Sequence, residues 1–324
     1  MATTDIIEEG AARSQQDEFA DLVRRFRTTY PSFRITDDVI RRYHLGLGTR
    51  GFVILCGASG TGKTWLAQAY AEVTGSRTKL VAVDPSWGSN EDLLGYLSPL
   101  DGFFHGTPFT EFVREAATEW DSANRAYRRP RSFHVILDEM NLARVEHYFS
   151  RFLSAMEVRS REGLARLDLA PGHHIELTPN LKFTGTVNVD ETTHGFAEKV
   201  FDRAQVIELP LQRDEVVAHL GNAPYAPVLM QVWDALRPIA PFGFRVLDEI
   251  SAYLLTAEEL GTDWRMALDE QLVQKVLPRV RSDASAGEAI DTFLAALGDG
   301  FPLARAKASK MRADLDAHGY LEFF

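Results

Sequence analysis

The sequence predicts an α/β fold followed by a helical unit, and three observations lead there. Short apolar runs at 52–56, 80–84, 133–138, 181–187 and 205–209 alternate with helix-patterned stretches. That is the signature of strands buried on both faces of a parallel sheet. Such runs cease after Pro210, where 228–236, 246–260, 267–280 and 286–297 carry helical periodicity. Between the first apolar run and the first helical stretch, 65–73, lies a glycine-rich octapeptide.

Taken in order, Phe19, Leu22, Val23 and Phe26 fall at helical spacing and predict an amphipathic helix that Pro31 ends. Ile35, Val39, Ile40 and Tyr43 predict a second, short helix closing near Gly46 and Gly48. Residues 1–45 are too few for a domain and are expected to pack on the α/β region that begins near residue 51. The alternating strand and helix pattern then runs from 52 to 209, with a second long helical stretch at 109–127. Two segments, 98–106 and 158–179, read as hairpins with glycine turns.

Composition narrows the class. The 324 residues are 45% apolar and 25% charged, with a net charge of −11, which excludes a disordered, collagenous or disulfide-stapled chain. The acidic balance argues against coating DNA by bulk charge, while a local basic contact with nucleic acid stays open. Cys56 is the only cysteine and reads as a small buried hydrophobe. No apolar run reaches a membrane-spanning length, and the start, MATTDIIEEG, has no cationic leader. The expected location is cytoplasmic, with no membrane partner.

The strongest motif is Gly57-Ala58-Ser59-Gly60-Thr61-Gly62-Lys63-Thr64, a full match to G-x-x-x-x-G-K-[ST] between a strand and a helix. Its glycines let backbone N–H groups approach phosphate oxygens, and the helix N-terminus adds partial positive charge. Lys63 suits the β- and γ-phosphates, and the Thr64 hydroxyl suits Mg²⁺. His134-Val135-Ile136-Leu137-Asp138-Glu139 is an apolar strand ending in two carboxylates. Ligands gather at the carboxyl ends of parallel strands, so Asp138 is expected beside Thr64 in the Mg²⁺ shell. Glu139 is expected to deprotonate an attacking water. An Asp-Glu pair that merely caps the next helix is the alternative. The histidines show no metal-binding spacing, and His173-His174 reads as a solvated loop pair. The basic run 125–131 reads as a solvated loop or subunit contact.

These motifs resemble those of AAA+ ATPases. With Met140-Asn141-Leu142-Ala143, Thr184-Gly185-Thr186-Val187-Asn188, Leu93-Leu94-Gly95-Tyr96 and Gly243-Phe244-Arg245-Val246-Leu247-Asp248-Glu249-Ile250, the chain is similar to the McrB-like branch, related to the MoxR and dynein-related ATPases. The resemblance implies a five-stranded parallel sheet of order 5-1-4-3-2. Its domain layout would be an N-terminal helical segment (1–45), a nucleotide-binding core with two hairpin insertions (46–211) and a helical lid (212–324). It implies Asn188 as sensor 1, Arg203 as an arginine finger acting on a neighbouring subunit's nucleotide, and Arg245 as sensor 2 on the nucleotide. It also implies a ring, a hexamer by analogy, driving a motor or switch with a separate effector protein, a nuclease or a client. The hairpins, with Phe103 and Phe104, would face a pore; in the residues themselves, covering the core or packing between subunits is the alternative. In the residues themselves two alternatives stand: Asn188 simply ends a strand, and Arg203 and Arg245 pair with Asp202 and Asp248. At 187–193 the chain lacks the Asp-Arg pair associated with GTP use in that branch, so ATP is the expected nucleotide, with GTP open. A remodelling chaperone of the MoxR kind, or a nucleotide-gated scaffold with little turnover, are the alternatives. No counterpart to a DNA-reading N-terminal domain is expected.

Overall fold

The computed structural model describes all residues except 1, 32, 190–193, 283, 322 and 324, and the side chains of residues 1–14 are likewise outside the description. Two compact units are present. One comprises the residues up to Cys56 together with Gly62–Leu209, and the other Gly57–Thr61 with Pro210–Phe324.

The first unit begins with helices α1 (Ala2–Thr29) and α2 (Asp37–Thr49). Thr36 caps α2, accepting the Val39 N–H, and Asp37 and Asp38 sit in its first turn. Helix α2 ends at Thr49, directly after Gly48, near the glycines where the sequence closes it. Gly46 is needed as glycine for packing, since a Cβ there would come 2.9 Å from Val53.

Strand β1 (Phe52–Gly57), helix α3 (Lys63–Val73) and strand β2 (Arg77–Ala82) come next. Helix α4 (Asn90–Leu94) leads into the hairpin β3 (Gly95–Leu97) and β4 (Phe104–Gly106). Helix α5 (Pro108–Arg125) precedes strand β5 (Phe133–Asp138). Helices α6 (Val145–Tyr148) and α7 (Ser150–Glu162) precede a second hairpin, β6 (Ala165–Ala170) and β7 (His173–Leu177). Strand β8 (Leu181–Asn188), helix α8 (Glu198–Phe201) and strand β9 (Gln205–Glu208) complete the unit.

The main sheet has the order β2-β5-β8-β1-β9, with β2–β5, β5–β8 and β1–β9 pairing parallel. Read from its other end it is β9-β1-β8-β5-β2. It differs from 5-1-4-3-2 in its labels because the two hairpins contribute four strands of their own. Side chains alternate across the sheet. Phe52, Ile54, Val135 and Leu137 join a core with α5 and α7, while Val53, Leu55 and Ile136 join one with α1, α2 and α3.

Three expectations for this unit need correction. Strand β2 is not buried on both faces: it is an edge strand spanning 77–82 rather than 80–84, with Leu80 44% exposed. An edge strand has one neighbour, and the exposed charge of Arg77 on it discourages further pairing. Residues 158–162 belong to the end of α7, and the hairpin starts only at Ala165 after a left-handed Gly163. His173 and His174 lie on β7 rather than in a loop, and Phe104 stacks on His173 with ring centroids 5.5 Å apart.

The second unit holds α9 (Arg213–Leu220), α10 (Ala226–Leu236), α11 (Phe244–Glu259), α12 (Trp264–Gln271), α13 (Ala286–Leu297) and α14 (Pro302–His318). The stretch 267–280, read as one helix, is three pieces: α12 passes into a π turn at Leu272–Val276 and a 3-10 turn at Leu277–Arg279, where Pro278 cannot continue an α-helix. Buried Asp269 accepts the N–H groups of Leu303 and Ala304 at 2.9 and 2.8 Å, satisfying the first turn of α14. Among the described residues, no helix is long and apolar enough to cross a membrane.

Candidate nucleotide site

Sheet order assembles the site. Strands β5, β8 and β1 are neighbours, so residues far apart in the chain meet at their carboxyl ends. Thr64, the second residue of α3, donates its hydroxyl proton to Asp138 Oδ1 at 2.6 Å across 74 positions of sequence. Thr186 on β8 donates to the same oxygen at 2.7 Å. Asn188, at the end of β8, donates from Nδ2 to Glu139 Oε1 at 3.1 Å.

The loop before α3 has the backbone its glycines require. Gly60 and Gly62 have φ of 80° and 88°, left-handed values that a Cβ would strain. The Thr61 hydroxyl donates to the Ala58 carbonyl at 3.0 Å and closes a tight turn. Lys63 opens α3 and is 5% exposed. Residues 57–64 therefore offer amide groups, a helix N-terminus and an ammonium within one short segment. The side of Gly62 is walled by Phe33, whose ring would lie 3.3 Å from a Cβ there. Phe33 in turn packs edge-on to Trp65, with centroids 4.1 Å apart.

Glu139 has φ of 51°, rare for a residue with a side chain. The turn bends the chain directly after the strand, so the adjacent carboxylates of Asp138 and Glu139 serve different partners, Thr64 and Asn188. Gly185 on β8 gives room for this turn, since a Cβ there would stand 1.8 Å from Met140 Sδ.

A cation would find two hard oxygen donors at this point, Thr64 and Asp138. The Thr64 proton points at Asp138, which leaves its oxygen lone pairs for a metal. Among the described residues, no group of three or more His, Cys, Asp or Glu side chains could hold a metal alone. That donor set suits Mg²⁺, which keeps waters and binds through one or two protein oxygens plus phosphate.

The other expected residues are placed differently. Arg203 follows α8 and is folded onto its own chain. Its Nε donates to the Leu153 carbonyl at 2.8 Å and its Nη1 to the Lys199 carbonyl at 2.9 Å. Asp202 stands only at 4.0 Å, so the ion pair weighed as the alternative for Arg203 is marginal. Arg245 is the second residue of α11, in the second unit, which also contains the Gly57–Thr61 segment. Its Cβ lies 2.9 Å from where a Cβ on Gly60 would be, and a Cβ on Gly243 would meet Ser59 O at 2.7 Å. Asp248 pairs with His219 rather than with Arg245. Phe103 is 70% exposed at its hairpin. Of the stretch 187–193, from which ATP is expected over GTP, residues 190–193 lie outside the described residues.

Sequence reasoning missed a role for Thr186, although it stands in the Thr184–Asn188 run, two residues before Asn188. It also missed a buried network beneath the site, in which Tyr43 Oη and His134 Nε2 each lie 2.7 Å from Thr184 Oγ1. Burial pushes the His134 pKa down to about 3, so its ring is neutral.

Residues 52–189 match the family model described as AAA domain (dynein-related subfamily). Residues 222–320 match one described as Domain of unknown function (DUF8727). A search of curated proteins found no match. The first match spans Lys63, Thr64, Asp138, Glu139 and Asn188, and Arg203 and Arg245 fall outside it. It supports an AAA+ ATPase core over residues 52–189.

Proposed function

We propose that the chain is a Mg²⁺-dependent nucleoside triphosphatase that cleaves ATP in preference to GTP. It works as a ring of copies on the McrB-like pattern and moves or switches a separate effector protein. The observation that carries the reading is the pairing of Thr64 with Asp138 and of Asn188 with Glu139 beside a full phosphate-binding loop.

In this reading the amides of residues 57–62 and the Lys63 ammonium hold the phosphate chain. Thr64 and Asp138 would hold Mg²⁺, which supplies charge neutralisation at the β- and γ-oxygens. Glu139 takes a proton from a water that attacks the γ-phosphorus, and the bond to the β-γ bridging oxygen breaks to release the diphosphate. Asn188 fixes the orientation of the Glu139 carboxylate. Arg245 contributes positive charge near the loop. Arg203 serves a second copy's nucleotide, and to do so it must leave the Leu153 and Lys199 carbonyls.

Phosphate release measured with ATP and with GTP tests the reading. The unaltered protein is expected to turn over ATP faster and to stop when Mg²⁺ is chelated. Glu139→Gln is expected to bind ATP normally but to lose about a hundredfold or more in rate, the usual scale of a general base. Unchanged turnover in Glu139→Gln would overturn the hydrolytic assignment.

A further inference from the structure

The Thr186 side chain touches both acidic residues of the site. Its hydroxyl gives its proton to Asp138 Oδ1 at 2.7 Å and accepts the Glu139 backbone N–H at 2.9 Å. Its carbonyl accepts the next amide, Met140 N–H, also at 2.9 Å. Three consecutive residues, Asp138, Glu139 and Met140, are thus tied to a single residue of the neighbouring strand. Thr186 is 1% exposed, so water cannot replace these bonds.

The middle residue of the three is the one with left-handed backbone. Such a conformation is costly for a side-chain-bearing residue and persists only where surroundings hold it. The Thr186 hydroxyl is placed to do this, because the Glu139 N–H is directed at it only while the turn is made. A hydroxyl accepting one bond still has its own proton to give, and here that proton goes to Asp138. The carboxylate oxygen that receives it also receives the Thr64 hydroxyl. Asp138 is thereby held from two sides, from α3 and from β8.

We infer that Thr186 is the positioning residue of the site: its hydroxyl locks Glu139 in the turn that presents its carboxylate to Asn188 and holds Asp138 toward Thr64. It touches no substrate and acts through its neighbours. The inference rests on the hydrolytic reading above for its effect on rate, but not for its effect on the backbone.

The test compares Thr186→Val, which keeps the shape and removes the hydroxyl, with Thr186→Ser, which keeps the hydroxyl. Hydrogen exchange of the nucleotide-free protein, resolved to single amides, reads the backbone. In Thr186→Val the Glu139 amide is expected to exchange at least about tenfold faster, as befits one lost buried hydrogen bond. The Met140 amide, bonded to the Thr186 carbonyl, should keep its rate, and Thr186→Ser should keep both. In turnover assays Thr186→Val should lose about tenfold or more in kcat with KM for ATP within about twofold, and Thr186→Ser should restore most of it.

Unchanged exchange at Glu139 in Thr186→Val would overturn the assignment, whatever the turnover. Equal acceleration at Met140 would overturn it too, because the strand would then be loosened as a whole. Faster exchange confined to Glu139 with undiminished kcat would show that the turn does not matter to the chemistry, which also overturns it. If the unaltered protein hydrolyses nothing, the proposed function fails, and the exchange measurement still decides the role of Thr186.

Discussion

Two carboxylates adjacent in sequence do different work because one backbone angle separates them. Asp138 ends its strand in extended geometry and receives two hydroxyls, while Glu139 turns left-handed and meets an amide. The identity of both acids was legible in the sequence from a strand that ends in carboxylates. Their separation was not, because a positive φ at a glutamate has no residue-type signal of the kind glycine provides. Lys63→Ala is expected to weaken ATP binding at least about tenfold by calorimetry, since it removes the buried ammonium proposed to hold the phosphate chain. His134 gives an independent pH signature. Its folded pKa is depressed to about 3 by burial, against an ordinary value near 6.5 in the unfolded chain. The unfolded state therefore binds a proton first as pH falls, and the neutral-histidine contribution is present above pH ~6.5 and lost progressively below it. The cost is up to about 1.4 kcal/mol per pH unit in that window. Urea midpoints of the unaltered protein and His134→Gln, measured from pH 7 to pH 4, should converge as pH falls. Parallel curves would show that His134 is not buried neutral.

At the level of elements, the central strands were readable and the edges were not. β1, β5 and β8 are buried on both faces and show as apolar runs, whereas β2 carries Arg77, Thr78 and Lys79 and showed only its apolar second half. Helix α7 was missed because Arg151, Arg159 and Arg161 mask its apolar stripe of Phe152, Leu153 and Met156. One of those arginines is itself buried: Arg159 donates to the Thr178 and Leu181 carbonyls at 3.2 and 2.8 Å. Two substitutions test the packing. Gly185→Ala puts a methyl group 1.8 Å from the Met140 sulfur, in a fully buried place, and should destabilise the protein by about 1–3 kcal/mol. Phe26→Ala empties a fully buried site where α1 meets the rings of Tyr30 and Phe33, and should cost about 3–5 kcal/mol. Denaturant midpoints read both, and a neutral Phe26→Ala would mean that α1 is not part of the folded core.

For the whole molecule, the switch from strand pattern to helical pattern at Pro210 was visible in composition and periodicity alone. The grouping of Gly57–Thr61 with Pro210–Phe324 was not, because it depends on contacts with Gly243 and Arg245 made nearly two hundred residues later. The ring reading makes its own demand. Sedimentation of Glu139→Gln with Mg²⁺ and ATP should reveal a multimer that Lys63→Ala does not form, and a monomer throughout would refute it. Mixing Arg203→Ala with Glu139→Gln should restore some turnover if arginine and nucleotide come from different copies. On the proposed function, a triphosphate is held at residues 57–64 and cut by water that Glu139 activates. A single-turnover reaction with γ-labelled ATP, Mg²⁺ and excess protein tests it most directly, reading retained and cleaved label together. The unaltered protein should release labelled phosphate, Glu139→Gln should retain uncut ATP, and Lys63→Ala should retain little. Cleavage by Glu139→Gln at the unaltered rate would rule out Glu139 as the base, and equal retention by Lys63→Ala would rule out the loop as the phosphate site.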